Sequence, residues 1–208
     1  DFAAPVLTIR SVAPAHARRG TTITVDLTSN ELLGADPVVT LSDRSFAIVS
    51  HDAVDYRFAY PLDGTEPQSV TPVLVTARDR AGNTARASAA GPVVDFIAPT
   101  FAPIAVAPSL ATTGTTVVVS FRASEPLSGT PAVTIGGQPT TLSTHQDRDY
   151  TFTRNMNGSE GEGTIDVVVT GADFAGNPGE DATARLTTDF TAPLPTNASV
   201  SPSLARSG

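Results

Sequence analysis

The chain has 208 residues, a net charge of −8 and 16% charged residues. It has no Cys and no Lys, all thirteen basic residues being Arg, which excludes disulfides, thiolate metal sites, lysine Schiff bases, a P-loop and Lys–Asn cross-links. No stretch is long or apolar enough to span a membrane, and no basic patch marks a nucleic-acid surface, so neither membrane insertion nor nucleic-acid binding is expected.

Residues 5–12 read as an edge strand entered through Pro5. After a turn at Arg19-Gly20, residues 21–28 alternate, with Ile23, Val25 and Leu27 facing inward. Ser29 to Asp36 is a loop carrying Glu31, and short strands follow at 37–42 and 45–50. Val54, Tyr56, Phe58 and Tyr60 alternate along the next strand and supply the bulk of the core. A Pro/Gly-rich turn at 61–67 leads to a strand at 70–78, with Val73, Val75 and Ala77 inward. Asp79-Arg80-Ala81-Gly82-Asn83 is a tight connection, and its Gly-Asn pair suits a position where φ must be positive. A last strand at 84–94 completes about seven strands, with frequent turns and no helical period, which is the pattern of a β-sandwich.

The chain then repeats itself. Asp1-Phe2-Ala3-Ala4-Pro5 returns as Asp95-Phe96-Ile97-Ala98-Pro99 and again as Asp189-Phe190-Thr191-Ala192-Pro193, at a spacing of 94 residues. Asp79 to Asn83 returns as Asp173-Phe174-Ala175-Gly176-Asn177. Residues 1–94 and 95–188 align without a gap at 31 identities in 94 positions. That period is the size of a small domain, not of a solenoid repeat. The expected organisation is therefore one module at 1–94, a second at 95–188, and at 189–208 a linker with the truncated start of a third. The Ser/Thr/Ala-rich tail at 196–208 is expected to be disordered, its partner strands being absent.

In the second module Val117, Val119 and Phe121 match the second strand, Tyr150 and Phe152 the aromatic strand, and Ile165, Val167 and Val169 the sixth. The aromatic strand there ends in Arg154-Asn155-Met156, so a thinner core is expected at that point, followed by a polar, mobile loop from Asn155 to Gly163.

The Asp-x-x-Ala-Pro opening, a strand ending near Ser/Asn-Glu, and Asp-x-Ala-Gly-Asn before the last strand together resemble the tandem bacterial Ig-like domains. The resemblance covers both modules and the stub at 189–193. It implies an all-β fold of two Ig-like Greek-key sandwiches. It also implies an extracellular or bacterial cell-surface location in a secreted or anchored, adhesin-like protein, and a role as spacer or extender. Some members bind calcium near domain junctions. The family's linker acid matches Asp1, Asp95 and Asp189, and its acid before the glycine turn matches Asp79 and Asp173.

In such a sandwich the chain enters at the end that carries the loops after the second and sixth strands. Asp1, Glu31 and Asp79 should therefore meet at that end of the first module, and Asp95, Glu125 and Asp173 at the same end of the second. Three carboxylates with backbone carbonyls and water could hold Ca²⁺, which takes six to eight oxygens. The competing reading is that each Asp caps the N–H groups of its own turn. His51 and His145 repeat as strand-end hydrogen bonders rather than catalysts, and no nucleophile constellation accompanies them.

The expected role is therefore a non-catalytic spacer whose partners are its neighbouring modules. The rival is a module that binds a cell-surface protein or a glycan, within an adhesin or the accessory region of a secreted hydrolase. That rival calls for an exposed aromatic row.

Overall fold

The computed structural model describes residues 2–196. Asp1, and the tail expected to be disordered beyond residue 196, lie outside that range.

The described residues form strands, turns and loops without an α-helix. In the first half these are β1 (Leu7–Ala13), β2 (His16–Ala17), β3 (Thr22–Ser29), β4 (Val38–Leu41), β5 (Arg44–Ser45), β6 (Ala47–Asp52), β7 (Asp55–Pro61), β8 (Val73–Arg78), β9 (Thr84–Ala89) and β10 (Val93–Val94). The second half holds β11 (Ala105–Ala107), β12 (Leu110–Ala111), β13 (Thr116–Arg122), β14 (Ala132–Ile135), β15 (Gln138–Pro139), β16 (Thr141–Gln146), β17 (Asp149–Asn155), β18 (Gly163–Ala172) and β19 (Pro178–Thr188).

One sheet of the first half runs β1-β3-β7-β6 and the other β5-β4-β8-β9, while β10 pairs in parallel with β2. The second half repeats this as β11-β13-β17-β16 and β12-β19-β18-β14-β15. Each half is thus all-β with two multi-stranded sheets, consistent with Ig-like sandwiches in tandem.

The alternation read from the sequence sets the pairing. Ile23, Val25 and Leu27 lie opposite Tyr60, Phe58 and Tyr56, and Val119 and Phe121 lie opposite Phe152 and Tyr150. Cross-strand pairs of this kind are the unit of sheet stability. Buried side chains fall into two clusters, one running from Ala17 to Val94 and the other from Phe101 to Leu186. Each large apolar side chain buried in them contributes about 1.5–3 kcal/mol.

The expected strand at 45–50 is divided, because Phe46 turns inward between the sheets and its N–H donates to Val39 O at 2.9 Å. The expected strand at 84–94 is divided too. Pro92 has no N–H for a ladder, so β9 stops short of it and β10 resumes against β2. In the second half Arg185-Leu186 replaces Gly91-Pro92, and β19 runs unbroken over 11 residues.

The core is not thinner at the end of the aromatic strand. Met156 takes the place of Leu62 and is equally buried. The outermost strands β6 and β16 each carry a bulge, between Ile48 and Ser50 and between Leu142 and Thr144.

Candidate cation site at the module junction

The Asp173–Asn177 turn joins β18 to β19, and Gly176 adopts the positive φ (88°) that a side chain would resist. Asp173 is buried and is held by the end of its own turn. Asn177 donates its backbone N–H to Oδ1 at 2.8 Å and its Nδ2–H to Oδ2 at 2.7 Å. The first module builds the same turn: Gly82 has φ 98°, and Asn83 donates to both oxygens of Asp79 at 2.8 and 2.7 Å. Burial raises the Asp79 pKa, but the Asn83 bonds together with the Gly82 and Ala81 N–H groups outweigh it and hold the carboxyl below the usual range. Both aspartates therefore cap their turns.

Asp95 bonds to both halves of the molecule. Its backbone N–H donates to Ala17 O at 3.0 Å, and its carbonyl accepts from Asn177 Nδ2 at 3.0 Å. Its side chain accepts the Ile97 N–H at 2.9 Å, which fixes the carboxylate beside the linker. Glu125 stands on the loop after β13. One oxygen from each of Asp95, Glu125 and Asp173 lies within 4.8 Å of the others.

Two ligands opposed across a Ca²⁺ ion, each about 2.4 Å from it, lie about 4.8 Å apart. The group is all hard oxygen. Among the described residues no arginine forms an ion pair with any of the three. Burial raises the Glu125 pKa, and the charges of Asp95 and Asp173 raise it further. A cation set among the three would relieve that repulsion.

The first-module set is only partly described. Asp1 is outside the range. Glu31 is half-buried on the matching loop and its N–H donates to Ser29 Oγ at 3.4 Å. Asn83 Nδ2 reaches across to Ala3 O at 3.1 Å, two residues further along the linker than the Asp95 carbonyl that Asn177 bonds. Among the described residues, the second set alone draws three acids together.

Sequence reasoning missed two acids. Glu66 and Glu160 are buried to 5% and 3% exposure and organise the turn between the aromatic strand and the next. Glu66 accepts from Tyr60 Oη at 2.6 Å and from the N–H groups of Asp63 and Gly64 at 3.2 and 3.0 Å. At Tyr60, burial and this bond push the phenol up to about 12. Glu160 accepts from Arg154 Nε at 2.6 Å and from the N–H groups of Asn157 and Gly158 at 3.3 and 3.0 Å. The polar 155–163 loop is thus pinned from below by a buried carboxylate. Persistence of this Glu 94 residues apart, while Tyr60 changes to Arg154, was the available signal.

The repeated histidines are strand-end hydrogen bonders. His51 Nε2 meets Ala53 O at 3.1 Å and His145 Nε2 meets Asp147 O at 2.7 Å, each ring stacked on a tyrosine at 4.4 and 4.3 Å. Across the junction His16 lies against Phe174, their ring centroids 5.6 Å apart.

No protein-family model matches this sequence, and no curated protein is significantly similar to it. Solved structures share its fold. An I-band fragment of titin, I67–I69, superposes at a TM-score of 0.60 with 11% identity, covering 90% of this chain and 66% of the fragment. A structure from a 1.5-MDa bacterial ice-binding adhesin, concerned with its retention at the host cell surface, gives a TM-score of 0.53 with 17% identity, covering 92% of this chain and 67% of that one. The chain thus spans about two thirds of the length of these relatives. At such identities the likeness shows an Ig-like tandem fold.

Proposed function

We propose that these residues are two spacer modules, 1–94 and 95–188, of an extended bacterial protein that is extracellular or surface-bound, and that they perform no catalysis. Ca²⁺ at Asp95, Glu125 and Asp173 stiffens their junction. The observation that carries this reading is the double attachment of Asp95, whose N–H bonds the first module and whose carbonyl bonds the second, beside three clustered carboxylates that form no ion pair with an arginine among the described residues. An ion there would tie the linker, the loop after β13 and the β18–β19 turn together. The likeness to a large bacterial adhesin supports the setting.

The binding-module alternative draws little support from the surface. Tyr56 and Tyr150 are buried, Tyr60 is engaged by Glu66, and exposed Phe174 faces His16 at the junction. The test is thermal unfolding and small-angle X-ray scattering with Ca²⁺ or with EDTA. A higher Tm and a narrower range of inter-module angles with Ca²⁺ are expected; no change in either removes the ion from the reading.

A further inference from the structure

The linker at the far end of the second module is already set as though another module followed. Asp189 N–H donates to Ala111 O at 3.0 Å, matching Asp95 N–H to Ala17 O at 3.0 Å. Thr191 N–H donates to Asp189 Oδ1 at 3.1 Å, as Ile97 N–H does to Asp95 Oδ1 at 2.9 Å. Phe190 N–H is held by Glu162 Oε1 at 3.1 Å, as Phe96 N–H is held by Gln68 Oε1 at 2.8 Å. The Phe190 ring packs on the second core as Phe96 packs on the first. Each clamp is therefore built by the module that precedes it.

The positions beside the clamp recur as well, with different side chains. His16, which meets Phe174 across the junction, becomes Leu110 in the second module, and Leu110 is 55% exposed. Arg18, whose side chain lies over Gly176 of the same turn, becomes Thr112. An apolar residue thus stands where the first module receives an aromatic one.

We propose that Leu110, Thr112 and the clamped segment Asp189–Pro193 form a docking seat for a further copy of this module, joined through Pro193. Its turn corresponding to Asp173–Asn177 rests on Leu110, and its Asn bonds the Asp189 carbonyl. The preceding module sets the orientation before the next one arrives, so successive junctions share one rotation and one tilt. This rests on the spacer reading and extends it from a single junction to a rule for an array.

The test joins a second copy of residues 100–188 after Pro193 and measures spin-label distances in EDTA. The absence of native Cys allows clean labelling at Ser50 and Thr144 for the first junction, and at Thr144 and its copy for the second. Two narrow distributions with the same mean are expected, and Leu110→Glu or Phe190→Ala should broaden the second alone. Each variant's circular dichroism is compared with the parent's to show that the fold is kept. A second distance that is broad, or centred elsewhere, beside a narrow first one overturns the seat. Broad distances at both junctions overturn the stiff-junction reading and the seat with it, whereas loss of a calcium response alone leaves the seat standing.

Discussion

Asn177 closes on Asp173 twice, through its backbone N–H and through its side-chain amide. The same amide reaches the Asp95 carbonyl, so one side chain couples a turn cap to the linker. Asn177→Ala should cost about 1.5–3 kcal/mol, the range for a hydrogen bond to a charged group. Differential scanning calorimetry of the second module's transition checks this. The inter-module distance should broaden in the same variant, and an unchanged distance would reduce Asn177 to a local cap.

Glu125 predicts a change of sign. Its folded pKa is raised by burial and by Asp95 and Asp173. Its contribution is therefore fully favourable below the unfolded pKa and is lost as pH rises through the folded value. Without calcium, stability should decline through that window, and Glu125→Gln should raise Tm near neutrality. With calcium the same substitution should lower Tm. Saturating the parent to about 100 times Kd adds about 2.7 kcal/mol. Unfolding curves at several pH values in EDTA and in Ca²⁺ measure both effects, and a substitution that acts alike in the two media contradicts the prediction.

At Glu160 the direction is opposite. Burial pushes its pKa up, but the Arg154 hydrogen bond and the turn N–H groups outweigh this and hold it below the usual range. Stability from this group is present above the unfolded pKa and is lost as pH falls through the folded one. Acid titration of the second module followed by circular dichroism should show the loss. Glu160→Gln should flatten that limb.

Arg154→Ala leaves the buried Glu160 without its cation and should cost about 3–5 kcal/mol. Arg154→Tyr copies the Tyr60–Glu66 arrangement of the first module and should be far milder. Equal losses in urea melts of the two variants would show that the Arg154 stem, not the satisfied carboxylate, matters.

Phe152→Ala should remove about 3–5 kcal/mol from the second core. If each half folds on its own core, the first transition stays where it was and only the second moves. A single shared transition that shifts as a whole would argue against separate modules.

The strands were legible because Ile23, Val25, Leu27 and their 94-residue partners alternate without interruption. The proximity of Asp95, Glu125 and Asp173 was expected from chain entry and loop position once an Ig-like sandwich was assumed. What stayed hidden was pairing that depends on direction in space. Glu66 and Glu160 lie in polar turns that carry no hydrophobic period to mark an inward side chain, yet both are buried. Arg154 read as a defect in an aromatic strand because its partner sits six residues on, beyond the strand's own period. Asn177 read only as a companion of Gly176, since its reach to Asp95 spans 82 residues.

The bulges in β6 and β16 bear on how two copies of the chain would meet side by side. These two strands are free edges, and an unbroken edge is a template on which another chain can extend the sheet. The extra residue in each, Val49 and Ser143, throws the backbone donors and acceptors out of step. A chain that approaches β6 or β16 from the side therefore meets a broken ladder and cannot extend either sheet in register at that point.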